Sequence, residues 1–317
     1  MSEYLRLFSS IVERVDAGQA CALCTVVNSR GSTPQTAGAI MLLDPAGRTD
    51  GTLGGGCVEA EVRRRALELL NRGESGLLSF TLNHDYGWDD GLICGGKMDV
   101  AVMTLSAADA VAGFRAAAER LARQTACEVP LRVGDGGRMV EYVLRVEPTP
   151  TLLIAGAGHV GAALARLAST LDFRVVVIDD RADLLDRARL PEPIEGLAGD
   201  IANTLRGWPI DANTHVVIVT RGHQHDEQAL HAVIDSPAKY MGMIGSRRKI
   251  KLIFDDLIGL GVDPAKLARV HAPIGLDISS VTVPEIALSI AGQLVQTRRA
   301  VSSKIVEGPF ELQAAAT

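Results

Sequence analysis

Two glycine-cysteine elements carry the most specific chemistry in the sequence. In TLGGGCVEAEVRRRALELL, residues 52–70, Cys57 follows Gly54, Gly55 and Gly56 where a Gly-rich loop turns into an amphipathic helix. A thiol there meets free backbone N–H groups and the positive end of the helix dipole, which stabilise a thiolate and lower its pKa. The same glycines carry no side-chain bulk, so a large anionic ligand can approach the backbone closely. In GLICGGKMDVAVM, residues 91–103, Cys94 precedes Gly95 and Gly96 at the mouth of an apolar, strand-like run. Two cysteines beside glycine pairs point to one site built from two loops, with Cys57 as ligand or nucleophile. The bland alternative is a tight turn with a small buried apolar cysteine.

Further along, Gly156, Gly158 and Gly161 spell GxGxxG after a buried strand and at the opening of a helix. Asp179 ends the next strand, about 20 residues on, where dinucleotide folds place an acid on a ribose hydroxyl. Arg181 leaves NAD and NADP both open, because it can receive a 2′-phosphate. His159, inside the turn, faces any bound phosphate. His223 and His225, beside Asp226, follow a predicted strand and so lie on the carboxyl-end rim. They read as metal ligands or proton donors, or else as exposed residues next to acids that favour the helix dipole. Arg247, Arg248 and Lys249 crowd a helix N-terminus, as a solvated charged face or a hint of an anionic partner. Cys21 and Cys24 have CxxC spacing, but a strand puts residues three apart on opposite faces, which argues against a zinc or dithiol site. Cys127 has no cysteine near it.

The elements that must position these residues are legible in the pattern. Leu5, Phe8, Ile11, Val12 and Val15 make an amphipathic helix stopped at Gly18. CALCTVV, AIMLLD and GLLSFTL are β-like runs, AADAVAGFRAAAERLARQ is a second helix, and GDGG joins EVPLRV to RMVEYVLRV as a hairpin. EPTPT, residues 147–151, is the linker. Beyond it, strand and helix alternate, as in a parallel sheet with helices on both faces. Thr282 and Glu285 make a capping box for the last helix, with Pro284 in its first turn. The expected fold is thus α/β: an N-terminal mixed α+β domain over 1–148, a Rossmann-like domain over 149–302, and a mobile tail over 303–317.

Composition narrows the partners. The chain has 317 residues, 47% of them hydrophobic, enough for two cores. A net charge of −6 and 4% aromatic residues argue against nucleic acid or an anionic membrane surface. Five cysteines are an odd number in a chain too large to need staples, so reduced thiols are expected. The start MSEYLRLFSSIVERV lacks a signal-peptide pattern, so the cytoplasm is the expected compartment.

Taken in order, GSTPQTAGAIML, TDGTLGGGCVEAEV, ICGGKMDV, LLIAGAGHVGAALARLA, VVIDDR, VTRGHQHDEQAL, YMGMIGSRRK, HAPIGLDI and TVPEIALSIAGQLV resemble the xanthine dehydrogenase accessory family of the XdhC/CoxI type. The resemblance runs over nearly the whole length. It implies a non-catalytic helper that binds molybdenum cofactor and shelters it while a cysteine desulfurase exchanges a terminal oxo ligand for sulfur. The helper then hands the cofactor to an apo molybdenum hydroxylase. The family's cofactor-binding cysteine corresponds here to Cys57. On this reading Cys57, assisted by Cys94, contacts molybdenum or its sulfur, and the rim of the second domain closes over the pterin phosphate. The rivals are an NAD(P)-dependent oxidoreductase with His223 or His225 as general acid, and a dinucleotide-sensing regulatory module. A symmetric homodimer is expected, as the commonest soluble assembly.

Overall fold

The computed structural model describes residues 3–82, 95–300 and 305–312. The chain divides into two compact units: Met1–Pro148 together with Ser303–Thr317, and Thr149–Ser302.

In the first unit the order is α1 (Glu3–Asp16), β1 (Cys21–Arg30), β2 (Ile40–Leu43), β3 (Thr49–Gly51), α2 (Gly56–Arg72), β4 (Gly76–Thr81), β5 (Lys97–Leu105), α3 (Ala112–Ala122), β6 (Cys127–Asp135) and β7 (Arg138–Val146). Leu7, Phe8, Ile11, Val12 and Val15 of α1 share a helical face and, with α3, cover one side of the sheet. On the other side, Val58, Val62, Ala66 and Leu70 of α2 recur every four residues and meet Cys24, Val26, Met98 and Val100. Burying each such Val or Leu stabilises by about 2 kcal/mol relative to exposure. Gly73, left-handed at φ 70°, ends α2 by turning its N–H back onto the Leu69 and Leu70 carbonyls. The long antiparallel pair of β1 and β5 bulges at Val27.

The second unit runs β8 (Thr151–Ala155), α4 (His159–Ser169), β9 (Arg174–Asp179), β10 (Glu195–Ala198), α5 (Ile201–Gly207), β11 (Thr214–Ile218), α6 (His223–Val233), β12 (Tyr240–Met243), α7 (Arg247–Gly259), α8 (Pro264–Leu267), β13 (Val270–His271) and α9 (Val283–Ala300). Its six strands are parallel, in the order β10, β9, β8, β11, β12, β13. This is the doubly wound Rossmann order, with helices on both faces: α4 and α9 on one, and α5, α6 and α7 on the other. The four inner strands are buried on both faces, which is why VVVI and HVVI read as continuous apolar runs.

After α9 the chain returns to the first unit. β14 (Val306–Glu311) pairs antiparallel with β7 and completes an eight-stranded sheet. The expected mobile tail is corrected for these residues. Without them β7 would be an open edge, and the pairing is reinforced by Arg145 on Glu307 at 2.8 Å and Arg138 on Glu311 at 3.2 Å.

Candidate functional site

Gly54, Gly55 and Gly56 all take positive φ, at 104°, 71° and 68°, a run that side chains would strain. At Gly54 a Cβ would lie 2.5 Å from the Pro34 ring. Among the described residues it would meet nothing within 4 Å at Gly55 and Gly56, so both face open space there. Helix α2 starts at Gly56, so Cys57 is its second residue, and its thiol is partly exposed. The other three described thiols are buried, and burial pushes Cys21 up to about 11, against a nearby Arg14, and Cys24 up to about 12. Cys21 and Cys24 enter different cores on opposite faces of the sheet, so CxxC spacing forms no site here.

The amides expected to be bare are partly taken. Glu59 reaches back from the first turns of α2 and accepts the N–H of Leu53 at 2.8 Å, the N–H of Gly55 at 3.0 Å and the hydroxyl of Thr52 at 2.7 Å. Thr52 Oγ1 in turn accepts the Gly54 N–H at 3.0 Å. Burial would raise the Glu59 pKa, but these donors outweigh it and hold the carboxyl below its ordinary value. Among the described residues the Gly56 and Cys57 N–H groups have no acceptor outside the helix. Among the described residues a ligand therefore finds the Gly56 and Cys57 N–H groups, the thiol and open space.

A third loop, residues 31–38, joins the two glycine elements. Pro34 packs on Gly54, while Ser32 forms a parallel bridge with Gly95. Gly96 lies so close to the Ser32 carbonyl that no Cβ fits, and a Cβ on Gly31 would sit 3.3 Å from the Gly96 Cα. The two glycine elements are thus joined through a third, the GSTP turn of residues 31–34. Cys94 lies outside the described residues.

In the second unit the strand order reverses between β8 and β11, which opens the crevice where such sheets bind ligands. Two of the three fingerprint glycines there serve packing. A Cβ on Gly156 would lie 2.6 Å from the Val219 carbonyl, and one on Gly161 would collide with the Gly156 carbonyl. Gly158 faces open space, and His159 is the exposed first residue of α4. Asp179 is buried and saturated: one oxygen accepts Arg181 N–H and Nε at 3.0 and 2.9 Å, the other Ala157 N–H and Arg181 Nη2 at 2.6 and 2.9 Å. Burial would raise its pKa, but Arg181 and the two backbone N–H groups hold it far below the carboxylate range. A ribose hydroxyl has no acceptor position left on Asp179 unless Arg181 moves.

His223 is exposed and His225 half-buried in the first turn of α6. Asp226, expected beside them, turns inward instead. It is fully buried, ion-paired with Lys249, and accepts the Thr220 N–H at 3.1 Å and hydroxyl at 2.6 Å. Lys249 therefore leaves the solvated face predicted for it, whereas Arg247 and Arg248 stay exposed. No cluster of three His, Cys, Asp or Glu able to hold a metal occurs among the described residues.

Comparison with known proteins adds a family. Residues 14–81 match the XdhC and CoxI family, and residues 152–294 match the XdhC Rossmann domain. The chain is 28% identical over 295 residues to the uncharacterized protein YqeB of Escherichia coli, covering 93% of this chain and 46% of that protein. It thus spans about half the length of that relative. It is 26% identical over 325 residues to a probable xanthine dehydrogenase subunit of Bacillus subtilis, covering 90% of this chain and 95% of that one. It is 23% identical over 297 residues to the molybdenum cofactor insertion chaperone PaoD of Escherichia coli, covering 90% and 86%. A solved structure described as a xanthine dehydrogenase from Bacillus halodurans superposes with a TM-score of 0.82 at 22% identity, over 95% of this chain and 97% of that one. That likeness establishes the shared fold.

Proposed function

Since both of its units match, the chain belongs to the XdhC and CoxI family, and we propose that it is a non-catalytic carrier of molybdenum cofactor for a molybdenum hydroxylase of the xanthine dehydrogenase kind. The observation that carries the reading is the half-buried Cys57 at the start of α2, beside two glycines that face open space among the described residues and next to the Gly56 and Cys57 N–H groups, which have no acceptor among them. The residues fit the cargo. A thiolate is a soft donor suited to a dithiolene-held metal, and backbone N–H groups suit anionic oxygens. One protein ligand also suits a carrier, because a dithiolene supplies the other sulfurs and a single contact breaks readily at hand-over.

In this reading Gly54, Gly55, Gly56 and Cys57, with Cys94, Gly95 and Gly96, form the cargo site, and Cys57 is the metal ligand. The turn of Gly156, Gly158, His159 and Gly161, with His223 and His225 on the same rim, is a further anion-binding surface of the second unit. The saturated Asp179 supports this over a nicotinamide dinucleotide, the basis of the rival oxidoreductase and sensor readings. Delivery to an apo molybdenum hydroxylase, sheltering during sulfur exchange by a cysteine desulfurase, a homodimer and a cytoplasmic location complete the proposal. No helix among the described residues is long and apolar enough to cross a membrane.

The test is purification from cells that make molybdenum cofactor, followed by metal and pterin analysis, beside titration with NADH. Wild type is expected to retain molybdenum and pterin in equal amounts, Cys57→Ala to lose both, and NADH neither to bind nor to turn over. Full cofactor loading of Cys57→Ala would sink the reading.

A further inference from the structure

We propose that Glu59 is a positioning residue of the cargo site, which holds the turn of residues 54–57 in its binding shape without touching the cargo. The inference deepens the carrier reading and rests on it.

Among the described residues, packing fixes the turn at one end: Gly54 lies under Pro34, but Gly55 and Gly56 have no described neighbour within 4 Å of where a side chain would begin. Glycine has more backbone freedom to lose than any other residue, so this pair would sample many shapes unless hydrogen bonds restrained it. The restraint converges on one carboxylate. Glu59 accepts from Leu53 N–H, Gly55 N–H and the Thr52 hydroxyl, and Thr52 takes the remaining Gly54 N–H.

Glu59 itself is anchored, because its helix is locked in the core through Val58 and Val62, at 2% and 0% exposure. The rigidity of α2 is thereby passed to a loop that has little of its own, which is how supporting residues preorganise a site. Occupation of Leu53 and Gly55 also decides which amides remain. Among the described residues those of Gly56 and Cys57 stay without an acceptor, in the first turn that carries the thiol.

The opposite role would be a stand-in anion that the cargo must displace, and the two roles move cofactor retention in opposite directions. Full-length wild type, Glu59→Ala, Glu59→Gln and Cys57→Ala, produced in cells that make molybdenum cofactor, are compared for cofactor release rate and for amide hydrogen exchange in the cofactor-free state. Glu59→Ala is expected to release cofactor roughly tenfold faster and to exchange the amides of residues 53–58 roughly tenfold faster. Protection in β1, β5 and the second unit should stay unchanged, which controls for folding. Glu59→Gln keeps one accepting oxygen and should recover part of both effects. Cys57→Ala should lose cofactor while the turn exchanges as in wild type. If Glu59→Ala holds cofactor as firmly as wild type or more so, the carboxylate is idle or a competitor and the positioning role is overturned. Unchanged exchange in Glu59→Ala overturns it equally. A wild type that retains no cofactor ends the carrier reading alone, and the exchange comparison then decides whether Glu59 orders the turn.

Discussion

Two Gly-rich turns open helices in this chain, and they use their glycines for opposite purposes. In the second unit Gly156 and Gly161 are glycine because backbone carbonyls occupy the space a Cβ would need. In the first, Gly55 and Gly56 are glycine because φ is positive at both, and among the described residues a Cβ there would meet open space. One turn is a packing device that closes strand onto helix, and the other is an opening. The acids differ in the same way. Asp179 is consumed by Arg181 and Ala157, whereas Glu59 takes the Leu53 and Gly55 N–H groups and leaves those of Gly56 and Cys57 without an acceptor among the described residues. A glycine thus leaves room for a ligand only where it faces space, as Gly55, Gly56 and Gly158 do among the described residues.

The contrast breaks most visibly at Gly161. Gly161→Ala forces a Cβ onto the Gly156 carbonyl and should destabilise the second unit by about 3 kcal/mol, read from its urea midpoint. A neutral result would remove the packing role. Next, Lys249→Met strands the buried Asp226 carboxylate, at a cost of about 2 kcal/mol after allowing for the part-exposed lysine. Asp226→Asn combined with Lys249→Met should recover part of that, because the stranded charge is gone.

Acid should separate the units by a similar amount. His215 is fully buried between Phe173 and Tyr240, and burial, aided by Lys239, pushes it down to about 4. Between that value and the unfolded one, near 6.5, the unfolded chain binds a proton that the native chain does not, so stability rises with pH in this window. It is lost as pH falls, by about 2 kcal/mol between pH 7 and 5. Melting curves at both pH values, for wild type and His215→Phe, should show a flatter dependence in the variant.

Smaller still in free energy is Cys57→Ala, expected to weaken cofactor retention at least tenfold, or about 1.4 kcal/mol, with the melting temperature unchanged. A fallen melting temperature with retained cofactor would reverse the assignment of binding and packing between the turns. Gly158→Ala should be within about 0.5 kcal/mol of wild type in stability, since Gly158 has φ −61° and open surroundings.

Legibility followed the range over which each feature is determined. The parallel sheet of the second unit was readable because its strands are continuous apolar runs and its helices carry local stop and start signals. The Glu285 half of the expected box forms, with its carboxylate accepting the Val281 and Thr282 N–H groups at 2.8 Å each. The short strands β3, β10 and β13 were not readable, since so few residues hold no periodicity and their pairing is supplied by neighbours. Nor was β14, a polar segment that is a strand only because β7 offers it an edge. Glu59 did leave a signal, an acid in the first turns of a helix behind a glycine run, but which amides it takes depends on how the turn folds back.

The sequence alone determined the two-unit α/β organisation, the place of Cys57 at a helix start and the family, because apolar period, glycine placement and motif order are local or linear properties. Tertiary structure alone decided that Asp179 and Asp226 are already partnered, that the loop of residues 31–38 joins two glycine elements, and that residues 306–311 belong to the first sheet. Those outcomes depend on which donors and edges meet across 20 to 160 or more positions of chain, and hydrogen-bond saturation is a property of such meetings rather than of any residue type.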